Sequence, residues 1–159
     1  MAKVVLMVDP TTVELDPEPM PAEWILSGAP VTRGKKLVTS HDWTSTVVVW
    51  DCSPGSFHWH FRRDETIYVL SGECFMTDAK GEERRFAAGD LGFFHAGFSC
   101  DFRVTQHFRK VAVLRETMWL PFGIGLKAWN KVLGLIGFAG KSPLMVFLGI
   151  TTLASGILR

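Results

Sequence analysis

From Thr46 to Glu116 the chain is a succession of short runs rich in β-branched and aromatic residues, each cut off within a few positions by Gly, Pro or Asp. TVVVWDC stops at Ser53-Pro54-Gly55. FHWHFR and TIYVL flank the connection RRDE, and Ser71-Gly72 separates TIYVL from ECFMT. DAKGEE, AAGD and HAG divide the remainder into RF, LGFF, SCDFRV and HFRKVAVLRE. None of these runs carries a 3.6-residue apolar period. A segment of this kind buries itself only as strands, in a sandwich or closed barrel, so the fold class is all-β.

The flanks differ in texture. Pro10, Pro17, Pro19, Pro21 and Pro30 exclude a helix or a central strand from most of residues 9–30. Residues 1–45 therefore read as an extended N-terminal arm and first strands, anchored by Trp24, Ile25 and Leu26. After the barrel segment 46–116, LKAWNKVLGLI places Leu126, Trp129, Leu133 and Ile136 on one helical stripe and Lys127, Asn130 and Lys131 opposite. Residues 117–141 are thus expected to form an amphipathic C-terminal helix. Residues 142–159 form an apolar tail in which PLMVFLGITTLASGIL has no charge between Lys141 and Arg159. Sixteen residues span about 24 Å as a helix, against about 30 Å of hydrocarbon. Flanking cations can snorkel across that mismatch. Contact with a membrane or a partner protein is therefore expected through Trp129, Leu133, Ile136, Phe147 and Leu148; the other reading is a terminal helix pair buried on the barrel or on a second copy.

At 159 residues the chain suits one domain with its own core. A net charge of +1 gives no reason to expect nucleic acid. Cys52, Cys74 and Cys100 have neither zinc-finger nor redox spacing. With no signal sequence at MAKVVLMVDP, the expectation is a cytoplasmic protein with reduced thiols.

One strand carries chemistry. In GSFHWHFRRDETIYVLSG, His58 and His60 lie two apart and so share a face, with Trp59 on the other. If the histidine face is the interior, both imidazoles point into the barrel and Glu65, at the start of the returning strand, reaches them. Two imidazoles and one carboxylate suit a divalent transition metal: Fe, Mn, Ni or Zn. The alternative is a hydrogen-bonded pair of core histidines beside Glu65.

Gly55, His58, His60, Glu65 and Gly72 resemble the first motif of the cupin superfamily: a glycine, His-x-His, three or four residues, Glu, six residues, Gly. Gly89 and Gly97 resemble the second motif, with His95 in the place of its proline and Cys100 where its last histidine falls. The wording is similar to the small single-domain cupins of the ureidoglycine aminohydrolase and ethanolamine-utilisation kinds. The resemblance implies a jelly-roll barrel, a homodimer and a site in the barrel mouth. It makes Cys100 either a fourth metal ligand or a small buried apolar residue.

Trp50, Phe75, Phe93 and Phe102 are candidates for the core and for pocket walls. His95 stands either at the pocket mouth or in a loop. Three functions are open: a metal-dependent enzyme acting on a small polar compound (ureido, amino or carboxylate), a non-catalytic binder of a small-molecule ligand, and an accessory protein docked through its tail.

Overall fold

The computed structural model describes residues 6–118 and 120–135, and divides after Thr117 into a β-domain and a helical unit. In the β-domain the described residues form β1 (Asp16–Pro17), β2 (Ile25–Gly28), β3 (Thr32–Thr39), β4 (Ser45–Cys52), β5 (Gly55–His60), β6 (Asp64–Ser71), β7 (Glu73–Asp78), β8 (Glu83–Ala87), β9 (Leu91–Phe94), β10 (Ser99–Val104) and β11 (Phe108–Arg115). A single 3-10 turn, Ala22–Trp24, precedes β2. The strands make two antiparallel sheets, in the orders β1-β3-β4-β11-β6-β9 and β2-β5-β10-β7-β8. This is the jelly-roll arrangement: sequence neighbours such as β4 and β5 pass into different sheets, and the two inner faces close on each other.

Strict alternation builds the interior. On β4 the inward residues are Trp50 and Cys52, on β6 Ile67 and Val69, on β7 Cys74 and Met76, on β10 Cys100, Phe102 and Val104, and on β11 Phe108 and Ala112, all buried. Phe57, Phe61, Phe94 and Phe102 meet at its centre; the Phe61 and Phe94 rings stack with centroids 4.3 Å apart. Phe57 and Phe102 stack at 5.7 Å. Gly72 turns β6 into β7 at φ 75°. A Cβ there would run into the His107 carbonyl, so this position needs glycine for space as well as for backbone conformation.

The first sheet is also covered on its outer face. Val49 and Asp51 point away from the interior, yet they are 0% and 1% exposed. Arg109, beside them on β11, donates to the carbonyls of Pro10 (3.1 Å) and Val13 (2.6 Å), which lays the arm over that face. Asp51 is held by Arg33 through two bonds of 3.0 and 2.6 Å, by Arg109 at 3.4 Å and by His107 at 3.2 Å. The arm then runs through β1, paired with β3 at Arg33 and Gly34.

The helical unit contains α1 (Leu120–Leu135). Trp129 is exposed and Leu133 buried. Ile136, Phe147 and Leu148 lie outside the described residues. Among those residues, no helix is long and apolar enough to cross a membrane.

Candidate functional site

The inward face of β5 is the aromatic one. Phe57 and Trp59, with Phe61 just beyond the strand, point into the barrel; Phe57 and Phe61 are buried and Trp59 half-buried. Trp59 makes edge contacts with Trp50 (5.8 Å), Phe57 (5.9 Å) and Trp24 (5.6 Å). His58 and His60 are exposed on the outer face, bonded across to β10: His58 to Asp101 and His60 to Ser99, both at 2.7 Å. The expectation that these imidazoles converge inside the barrel is therefore corrected. Either phase keeps the histidines together. The phase that buries three aromatic side chains removes far more apolar surface from water than one that buries two imidazoles.

Glu65 does face inward and is 6% exposed. Its partner is not an imidazole but Lys110, equally buried on β11, whose Nζ donates to Glu65 Oε1 at 2.6 Å. Cys100 is buried in the aromatic core, and loss of water pushes its thiol up to about 12, far from the thiolate a metal needs. Among the described residues no three His, Cys, Asp or Glu side chains are grouped to hold a metal ion. His58, His60, Glu65 and Cys100 do not fit an interior metal: two donors lie outside, one is engaged by an ammonium, and one is a thiol in hydrocarbon.

Around the ion pair the barrel is hollow. One lobe, of about 280 Å³, is lined by Glu18, Lys36, Trp50, Trp59, Glu65 and Lys110 among others. A second, of about 440 Å³, shares Glu18, Trp50, Trp59 and Glu65 and adds Met20 and Trp24. Lys110 Nζ lies 5.1 Å from the centroid of Trp50 and 5.7 Å from that of Trp59, so indole faces flank the ammonium. The arm forms one wall. Glu18 lies over Gly34, where a Cβ would collide with its carboxylate, and its backbone is fixed on Thr32 by N–H donation at 3.0 Å.

The other candidates scatter. Trp50 is in the cavity wall. Phe102 is in the core. Phe75 is on the outer face beneath the Arg103 guanidinium, 4.2 Å from its centroid. Phe93 is exposed on the outside of β9, its ring edge-on to His95 at 4.9 Å. His95 is exposed in the turn beyond, 3.8 Å from Asp64.

The residues that organise the cavity and were not read as site residues in the sequence are Lys110, Trp59, Trp24 and Glu18, although Trp24 was expected to anchor the arm. Lys110 had a readable sign. In HFRKVAVLRE it shares a register with Phe108, Ala112 and Leu114, and a lone charge on an apolar strand face needs a buried partner.

Residues 39–112 match the family described as EutQ-like cupin domain. Among solved structures, the chain is similar to a putative ethanolamine utilization protein Q from Salmonella typhimurium, at 26% identity over 55% of this chain and 72% of that one, with a TM-score of 0.50. The EutQ protein of Clostridium difficile is similar at 20% identity, over 71% and 88%, with a TM-score of 0.56. A protein of unknown function from Pseudomonas syringae is similar at 22% identity, over 67% and 46%, with a TM-score of 0.62. No curated protein matches the chain. Of the residues on and around the motif, Trp59, Phe61, Glu65 and Cys100 face inward, and His58 and His60 do not.

Proposed function

The chain belongs to the cupin superfamily, and we propose that its barrel is a small-molecule-binding cavity organised by the Lys110–Glu65 ion pair in place of a metal ion. The observation that carries this reading is the 2.6 Å bond between two buried, oppositely charged side chains at the cavity wall. An ammonium has three donors, and Glu65 takes one. Trp50 and Trp59 flank it with ring faces. A planar compound whose carboxylate or carbonyl oxygen accepts from Lys110 Nζ, with its flat body against the indoles, satisfies both the polar and the apolar parts of this wall. An N–H on the same compound meets the acceptor that Glu65 supplies. Of the ureido, amino and carboxylate compounds expected from the sequence, the ureido and carboxylate classes fit these donors; a bare amine would face a like charge. No bond-making step is assigned to the cavity.

Benzoate tests the reading as a minimal planar carboxylate. In ¹⁵N-resolved NMR spectra the indole N–H signals of Trp50 and Trp59 are expected to shift saturably. Lys110→Met, alone or with Glu65→Gln to keep the cavity neutral, is expected to weaken binding by about tenfold, equivalent to about 1.4 kcal/mol. Shifts that never saturate, or that survive both variants unchanged, would refute it.

A further inference from the structure

The outer face of β5 holds two imidazoles that the cavity reading leaves without a task. His58 and His60 are both exposed, two apart, so their rings leave the sheet side by side. Each is held by its direct cross-strand neighbour on β10, in the register that pairs His58 with Asp101 and His60 with Ser99. His58 Nδ1 lies 2.7 Å from Asp101 Oδ1, and His60 Nδ1 lies 2.7 Å from Ser99 Oγ. An ionised carboxylate only accepts, so His58 Nδ1 carries the proton and Nε2 of the neutral ring bears the lone pair. The Ser99 hydroxyl both accepts and donates, which permits the same tautomer at His60. Neither Nε2 has a hydrogen-bond partner among the described residues.

We propose that His58 and His60 form a surface site for a borderline divalent transition metal, copper(II), nickel(II) or zinc(II), bound by their two Nε2 atoms with water in the remaining positions. Imidazole nitrogen selects these ions, whereas calcium and magnesium call for oxygen donors. A hydrogen bond from the far ring nitrogen to a carboxylate orients a ligating imidazole and raises its basicity, and Asp101 supplies it. Strand β5 is paired with β10 through both His58 and His60, and with β2 as far as Phe57, so the two rings stand on a hydrogen-bonded backbone. The two rings leave the outer face while the intervening Trp59 points into the barrel, and His60 also borders the larger lobe of the cavity. Among the described residues no three His, Cys, Asp or Glu side chains are grouped to hold a metal ion, and Asp101 sits on the Nδ1 side of His58. The bound ion therefore keeps open positions, unlike the closed sphere of a structural zinc site.

The test uses the untagged full chain with copper(II), nickel(II) or zinc(II) chloride alone, followed by calorimetry and, for zinc, by histidine-ring NMR. One equivalent is expected to bind, copper most tightly. The ring signals of His58 and His60 are expected to move together while those of His41, His95 and His107 stay. His58→Ala and His60→Ala should each weaken binding by about tenfold or more, and Asp101→Asn by about tenfold, with the unfolding midpoint retained. If each single histidine variant merely removes half of the bound metal at unchanged affinity, the rings act independently and the proposal fails. Binding that persists in the double histidine variant also overturns it.

Discussion

Glu65 and Lys110 illustrate what a single pair of residues does to a barrel. Each alone would be a charge in an apolar cavity; together they are 2.6 Å apart and bonded. Lys110→Met strands the carboxylate and Glu65→Gln strands the ammonium, and each is expected to cost about 3–5 kcal/mol in urea unfolding. The double variant removes both charges and should recover much of the loss, giving a coupling of at least about 1 kcal/mol; strictly additive single effects would disprove the pairing. In the sequence, Glu65 was legible as an acid at the start of the returning strand, and its inward orientation was expected only together with that of the histidines. The histidines were legible as a pair on one face and not as a pair on a particular face. Alternation states which side chains go together, and only the bulk competing for the interior states which way they go.

At the scale of the strand and the arm, that competition is between Phe57, Trp59 and Phe61 on one side of the chain and His58 and His60 on the other. The strand positions themselves were readable because β-branched runs and their Gly/Pro/Asp stops are local signals. Which strand lies beside which was not, because β4 and β11, or β5 and β10, meet across dozens of residues. The arm belongs to the same class of hidden information: prolines announce extended chain and leave its resting place open. Arg109 settles that place through Pro10 and Val13. Arg109→Ala is expected to release the arm, so that limited proteolysis cuts before Trp24 several times faster while the barrel stays intact. An unchanged cleavage time course would show that the arm is held by other contacts. Asp51→Asn is a harsher change, since Arg33, Arg109 and His107 all converge on that carboxylate.

Taken whole, the β-domain is two sheets closed over a largely aromatic interior, with its thiols inside. Cys52, Cys74 and Cys100 are all free and buried, and burial pushes each thiol up to about 12. Only a thiolate attacks a disulfide reagent and displaces its leaving thiolate, so at pH 8 the native domain should react at none of the three within minutes, and the denatured chain at all three. Rapid native labelling at Cys100 would mean that the core is more open than described. The all-β class was legible from composition and punctuation over residues 46–116 alone. The apolar character of residues 142–159 was legible too, while its setting falls outside the described residues. The ammonium seated against Glu65 has a consequence for the molecule's dependence on its surroundings. An acquired ion must be delivered, can be mismatched and can be stripped by a chelator; a lysine arrives with the polypeptide. On the proposed reading this interior is complete on folding, and its readiness should not vary with a cell's supply of trace elements.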